Sequence, residues 1–353
     1  MFVDMRGGVF GDFASGMEST WQAENSTPYT ATEREAHLIA FTHLMALHCA
    51  RLAAFPSNHL YRKLAMSNDV VIEAWNTVLF EKFSRFKYLF IEGYAAISDE
   101  VFKRHRLPAG AHVLDVGCGF GDCTLQIAKS VGESGLATGV DCASNFIAEC
   151  NQTAAKEGVK NIRFLVADVE ADDLGGPYDE AFARFGTMFF NLPGLAMKNI
   201  RYSLKPGGKF TQVVWRKREA NPWLHEAELC VRSIVPVISH DDTNAVHCGP
   251  GPFSMAGPDM VSDMLKAVGF EKIQFERFDT DICIGRNVEE ATQFALEIGP
   301  AGEIIRLAEA EGERLKGEVI IALQDVIGKF SKKEDGSIWA PSSAWFVTAY
   351  NPK

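Results

Sequence analysis

From residue 112 onward, short apolar runs alternate with stretches of helical period. Val113, Leu114 and Val116 read as a short buried strand. Residues 136–141, 162–167, 178–185 and 209–215 read as four more. Between them, 122–130, 144–158 and 195–204 carry apolar residues at helical spacing, with Ser144 as a cap and Gly158 as a stop. Lys205-Pro206-Gly207-Gly208 is the turn into the fifth strand. Further on, the pattern predicts a helix over 222–235, a loop to Pro258, a helix through Val268 and a strand over 272–278. Helices near 289–298 and 303–330 and a strand over 344–350 follow. Regular alternation of this kind predicts an α/β fold, a doubly wound sheet with helices on both faces.

The chain before residue 107 reads differently. Residues 1–30 are rich in Gly, Ser, Thr and Asn and predict a flexible arm. Thr32 and Glu35 form a capping box for a helix that carries Leu38, Phe41, Leu44, Met45 and Leu52 on one face and stops at Pro56. A second helix is predicted over 58–66. A third opens at Ser67-Asn68-Asp69 and runs through Val70, Trp75, Val78, Leu79, Phe83 and Phe86 towards Glu92. With 97–105 these make an all-helical cap over 31–106, expected to cover the ligand site and to form a homodimer interface. Leu107-Pro108-Ala109-Gly110 links it to the main domain, 107–353, in which 221–265 and 288–330 are expected as substrate-side insertions.

The first strand runs into Asp115-Val-Gly117-Cys118-Gly119-Phe-Gly121, and a helix follows. A strand, a glycine-rich turn and a helix together cradle a nucleotide. Dinucleotide sites space their glycines G-x-G-x-x-G to meet a pyrophosphate. Here the spacing is G-x-G-x-G, and a carboxylate precedes it. Asp115 would repel a pyrophosphate and attract an α-ammonium. The ligand so described is a nucleoside carrying an amino acid, S-adenosylmethionine, with S-adenosylhomocysteine as its product. At this stretch the sequence resembles the class I, Rossmann-like methyltransferases, whose first signature motif is D-x-G-x-G-x-G.

The resemblance implies a seven-stranded sheet with its last strand antiparallel, and it extends along the chain. Asp141 ends the second strand, where a carboxylate accepts from both ribose hydroxyls. Cys142 and Phe146 follow it, placed to pack against adenine. Asp168 ends the third strand. In the family this residue takes the exocyclic amine of adenine while the backbone of the next, Val169, meets a ring nitrogen. Residues 178–190, with Arg184-Phe185-Gly-Thr-Met-Phe-Phe, are similar to the fourth-strand motif of the ubiquinone/menaquinone-methyltransferase-like branch. That similarity puts Arg184 and Phe185 at the methionine end. Asn221-Pro-Trp223, Gly251-Pro-Phe253 and residues 344–349 resemble the same branch, and Trp75 lies on a helix that closes over the cofactor in relatives.

The implied reaction is in-line transfer of a methyl group to a small organic acceptor, driven by proximity and by exclusion of water. Within the same class stand C- or O-methylation of a large apolar quinone or polyketide and S-methylation of a small thioether acid. From another class stands a catalytically silent cofactor-binding sensor or complex subunit. Should the acceptor be a hydroxyl, candidate bases are His225, His240 and His247. No metal is implied.

Composition narrows the partners. A net charge of −11 over 353 residues disfavours nucleic acid. The eight cysteines include no C-x-x-C pair and fit free thiols in a reducing cytoplasm. No apolar run is long enough for a membrane span, and residues 1–28 lack the pattern of a signal peptide, so a cytoplasmic location is expected.

Overall fold

The computed structural model describes residues 2–3, 9–10, 59–236 and 251–353, with side chains described at 68–236 and 251–353. The chain divides into two compact units, 1–58 and 59–353. In the first, Phe2–Val3 and Val9–Phe10 pair antiparallel. The helix expected from Thr32 lies outside the described residues.

The second unit is built on one sheet. Its strands are β1 (His112–Val116), β2 (Leu136–Asp141), β3 (Ile162–Val166), β4 (Tyr178–Arg184), β5 (Leu204–Trp215), β6 (Glu271–Gly285) and β7 (Ile338–Tyr350). They lie in the order β3-β2-β1-β4-β5-β7-β6. The first five are parallel, and β7 runs antiparallel between β5 and β6, with Ala344 opposite Trp215 and Tyr350 opposite Lys209. The short strand Ser331–Lys332 folds onto β7. This is the Rossmann-like arrangement that the motifs imply. Its switch point lies between β2, β1 and β4, where the chain leaves neighbouring strands in opposite directions and opens a crevice at their carboxyl ends.

The helices are α1 (His59–Asn76), α2 (Val78–Arg85), α3 (Lys87–Ile91), α4 (Ala95–Arg104), α5 (Asp122–Val131), α6 (Ser144–Glu157), α7 (Pro193–Ser203), α8 (Pro222–Ile234), α9 (Pro258–Ala267), α10 (Val288–Ile298), α11 (Pro300–Leu307) and α12 (Glu309–Ile327). Central strands are apolar on both faces, because helices cover both. Phe102 of α4 meets Phe182 on one face, and Phe270, just past α9, meets Phe210 on the other. Val113, Val116, Ile127, Val213 and Phe346 are fully enclosed; each such side chain contributes about 1.5–3 kcal/mol by leaving water.

Four expectations need correction. Helix α1 does not break at Ser67-Asn68-Asp69; it runs on to Asn76 and breaks at Thr77. Nor does Ser144 cap α6. It is the first helical residue, and its hydroxyl donates across to Asn76 Oδ1 at 2.9 Å. The predicted helix over 303–330 is two, α11 and α12, parted at Ala308, just before Glu309, whose φ is +48°. Strand β6 extends to Gly285 because β7 offers a partner along that whole length, a tertiary cause that local patterning does not carry. Gly158 does end α6, in the left-handed conformation expected of it.

Candidate active site

Gly117, Gly119 and Gly121 hold φ of 65°, 52° and 76°, values that glycine adopts without the Cβ penalty. A Cβ at Gly117 would stand 3.2 Å from Gly186 Cα, and one at Gly121 2.8 Å from Cys150 Sγ. These two glycines serve close packing of the loop on the segment after β4 and on α6. Gly119 differs: nothing lies within 4 Å of where its Cβ would be. The Cys118 thiol turns down among Ile147, Cys150 and Phe164. Its hydrogen bond with Cys150, and then its burial, push it well above the usual thiol range.

Asp141 joins two loops. Its Oδ2 accepts from Gly119 N–H and its Oδ1 from Ala143 N–H, each at 3.0 Å. Lone pairs remain for two hydroxyl donors. Asp115 is 1% exposed and accepts from Thr124 Oγ1 at 2.6 Å. Burial pushes its carboxyl up to about 7, against the hydrogen bond from Thr124 and the charge of Arg184. A buried carboxylate held this way gains most from a neighbouring cation.

The third strand end is engaged from outside the sheet. Asp168 accepts from Glu170 N–H at 2.9 Å and from the amide Nδ2 of Asn68 on α1. Asn191 donates in turn to Asn68 Oδ1 at 3.2 Å. Val169 is buried, its carbonyl taking Asn199 Nδ2 at 3.0 Å. Cys142 is half-buried; burial raises its thiol too.

Aromatic rings cover this edge. Phe146 meets Phe120 at 4.9 Å and Phe80 of α2 at 5.0 Å between centroids. Trp75 bridges Phe83 at 5.2 Å and Phe189, after β4, at 5.3 Å. Arg184 ends β4 with its guanidinium buried. It pairs with Asp122 at 2.8 Å and donates to Ser98 Oγ at 2.5 Å, so its donors serve α5 and α4. Phe185 follows with φ of +59°, an outlier for a bulky residue of the kind that marks functional positions. Its ring stacks on Trp215 at 3.9 Å.

Of the three candidate bases, His240 and His247 lie outside the described residues. His225 sits near the start of α8, half-buried, with no hydrogen-bond partner for its buried Nδ1. Sequence reasoning missed Thr124, Asn68 and Asp122. Asp122 and Thr124 sit on the first turn of α5, where the motif directs the eye to glycine. Asn68 reaches Asp168 across 100 residues of sequence, a pairing that local pattern does not signal. Among the described residues no group of His, Cys, Asp and Glu is placed to hold a metal ion, and no helix is long and apolar enough to cross a membrane.

The family described as methyltransferase domain matches residues 107–242. The aklanonic acid methyltransferase DauC of Streptomyces sp. (strain C5) is 34% identical over 112 residues, 30% of this chain and 50% of that protein. The 2-phytyl-1,4-naphtoquinone methyltransferase of Nostoc punctiforme is 30% identical over 139 residues, 37% of this chain and 59% of that protein. Demethylmenaquinone methyltransferase of Staphylococcus aureus is 33% identical over 111 residues, 31% of this chain and 44% of that protein. The chain thus spans about half the length of the curated relatives it matches.

Proposed function

We propose, from the premise that residues 107–242 are a class I S-adenosylmethionine-dependent methyltransferase domain, that this protein transfers a methyl group to a small planar organic acceptor of the quinone or polyketide kind. One observation carries the reading: the buried Asp115 and the loop-bridging Asp141 flank the open face of Gly119 at the switch point of the sheet.

The residues fit the cofactor. Asp115 supplies the anion for its amino-acid end, Asp141 the acceptors for its ribose and Gly119 the bare backbone between them. Phe146 and Phe120 supply apolar packing for the base. When bound, the sulfonium supplies an electrophilic methyl group. The protein's part is then to hold the acceptor in line and to keep water out, which is worth on the order of 7–11 kcal/mol. The aromatic rings that α1 to α3 lay over the edge exclude water, and the relatives named for naphthoquinone, menaquinone and aklanonic acid substrates support a ring-shaped acceptor.

The test is calorimetric titration of the full chain with S-adenosylhomocysteine, followed by transfer of labelled methyl from S-adenosylmethionine to hydroxylated naphthalenes and anthraquinones. Micromolar binding and label in the organic extract support the reading. Binding of NADH or flavin in place of S-adenosylhomocysteine overturns it. Tight cofactor binding without transfer to any ring acceptor returns the protein to the sensor class.

A further inference from the structure

Beside the cradle, at the ends of β4 and β5, stands a second cluster of rings. Tyr94 meets Phe185 and Trp215 edge-on, each at 5.6 Å, and Phe90 at 5.7 Å. Trp223 of α8 stands edge-on to Trp215 at 5.6 Å and stacks on Phe294 of α10 at 5.8 Å. Trp223 is 4% exposed, yet its Nε1–H has no hydrogen-bond partner. Two other indoles are satisfied: Trp345 donates to the Ala256 carbonyl at 3.2 Å and Trp339 to Ser337 Oγ at 2.9 Å. Buried tryptophans ordinarily find a partner, and an unmade bond of this kind costs about 1–3 kcal/mol.

We infer that this cluster is the seat of the methyl acceptor, a planar ring system bearing a carbonyl or phenolic oxygen, and that Trp223 Nε1–H is the donor that fixes that oxygen. The inference rests on the methyltransfer reading above and names the substrate chemistry of the same site. An indole N–H donates only, so it selects an oxygen acceptor over an ammonium or a plain hydrocarbon. Tyr94 adds a second donor at the cluster, a hydroxyl, and its burial raises the phenol, which keeps it protonated and able to donate. Location agrees with chemistry. Phe185 adjoins Arg184, whose partner Asp122 opens the helix that follows the glycine loop, so the seat borders the cradle directly. Tyr94 belongs to the junction of α3 and α4, not to the sheet. Thr211 Oγ1, also buried without a hydrogen-bond partner, lines a small void against Glu180 and Phe182, towards the amino end of the strands, and has no such relation to the cradle.

The experiment uses the full chain labelled with nitrogen-15, with and without S-adenosylhomocysteine, and three probes: naphthalene, naphthol and tetralone. The Trp223 indole signal is the one lost in Trp223→Phe. It is expected to move downfield with naphthol and tetralone but not with naphthalene. The oxygen-bearing probes should bind about tenfold more tightly than naphthalene to wild type and equally with it to Trp223→Phe, whose affinity for S-adenosylhomocysteine stays unchanged. A preference that survives in Trp223→Phe overturns the inference, as does failure of every probe to bind while S-adenosylhomocysteine binds. Failure of S-adenosylhomocysteine alone strikes the cofactor reading instead, and the probe titration without it still reports on the seat. Should Trp223→Phe not fold, the wild-type indole shift and Tyr94→Phe, expected to weaken naphthol several-fold, decide the matter.

Discussion

The two halves of the ligand edge hold their groups in different ways. Along β1 and β2 the backbone does most of the holding: left-handed glycines, two peptide N–H groups on Asp141, and one buried carboxylate steadied by a single hydroxyl. Along β4 and β5 the holding is done by side chains: Tyr94 from the α3–α4 junction and Trp223 of α8 meet the stacked Phe185 and Trp215, backed by Phe90 of α3 and Phe294 of α10. A backbone cradle suits a ligand that never changes. A seat built from interchangeable side chains can be retuned without disturbing the sheet, and so fits the half of the reaction that varies.

Four substitutions or conditions sharpen that contrast. The largest effect is expected from Asp141→Ala, which frees both loops at once: affinity for S-adenosylhomocysteine should fall by more than about 100-fold, on the order of two hydrogen bonds to a charged group. Calorimetry that shows less than tenfold loss would move the ribose elsewhere. Gly121→Ala puts a Cβ at a φ of +76° and 2.8 Å from Cys150 Sγ, and should lower unfolding stability by about 2–4 kcal/mol, read in urea. An unchanged midpoint would mean that the loop is softer than its packing implies.

The third is a pH dependence set by Asp115. Its folded carboxyl is raised to about 7, above the unfolded value, so its contribution to stability is present at low pH and is lost as pH rises towards 7. A cation in the cradle reverses that penalty and expels the proton. Affinity for S-adenosylhomocysteine should therefore climb with pH, by up to about tenfold per unit, and level off near 7. Asp115→Asn should bind weakly at every pH and make the empty protein more stable than wild type at pH 8. A wild-type affinity flat between pH 5 and 7 would separate Asp115 from the ligand. The smallest effect belongs to the cap: Phe80→Ala removes one ring from Phe146 and should weaken cofactor binding by roughly tenfold at most, with the fold intact by circular dichroism.

The same division decides what the sequence reveals. Gly117, Gly119, Gly121 and Asp141 are readable because each answers a backbone requirement that leaves its mark on neighbouring positions. The antiparallel last strand follows from the resemblance to class I methyltransferases rather than from local period. The pattern at Ser67-Asn68-Asp69 suits a helix cap, whereas Asn68 reaches across to Asp168; both uses suit asparagine, and only the fold chooses between them. The motif around Arg184 implies a place at the methionine end. Its guanidinium is engaged by Asp122 and Ser98, partners that sit on two separate helices. The aromatic cluster draws Tyr94, Phe185, Trp215, Trp223 and Phe294 from five stretches of chain, and no single stretch distinguishes its rings from ordinary core.

Strand β7 has a consequence for how the protein is made. It is the last strand in the chain, yet it fills an interior place between β5 and β6. During synthesis the flank of β5 and the whole of β6 must wait, unpaired, until residues 338–350 leave the ribosome. An exposed parallel-sheet flank is a template for pairing with other chains. The helices that follow β6 in sequence are therefore made while that edge is still bare.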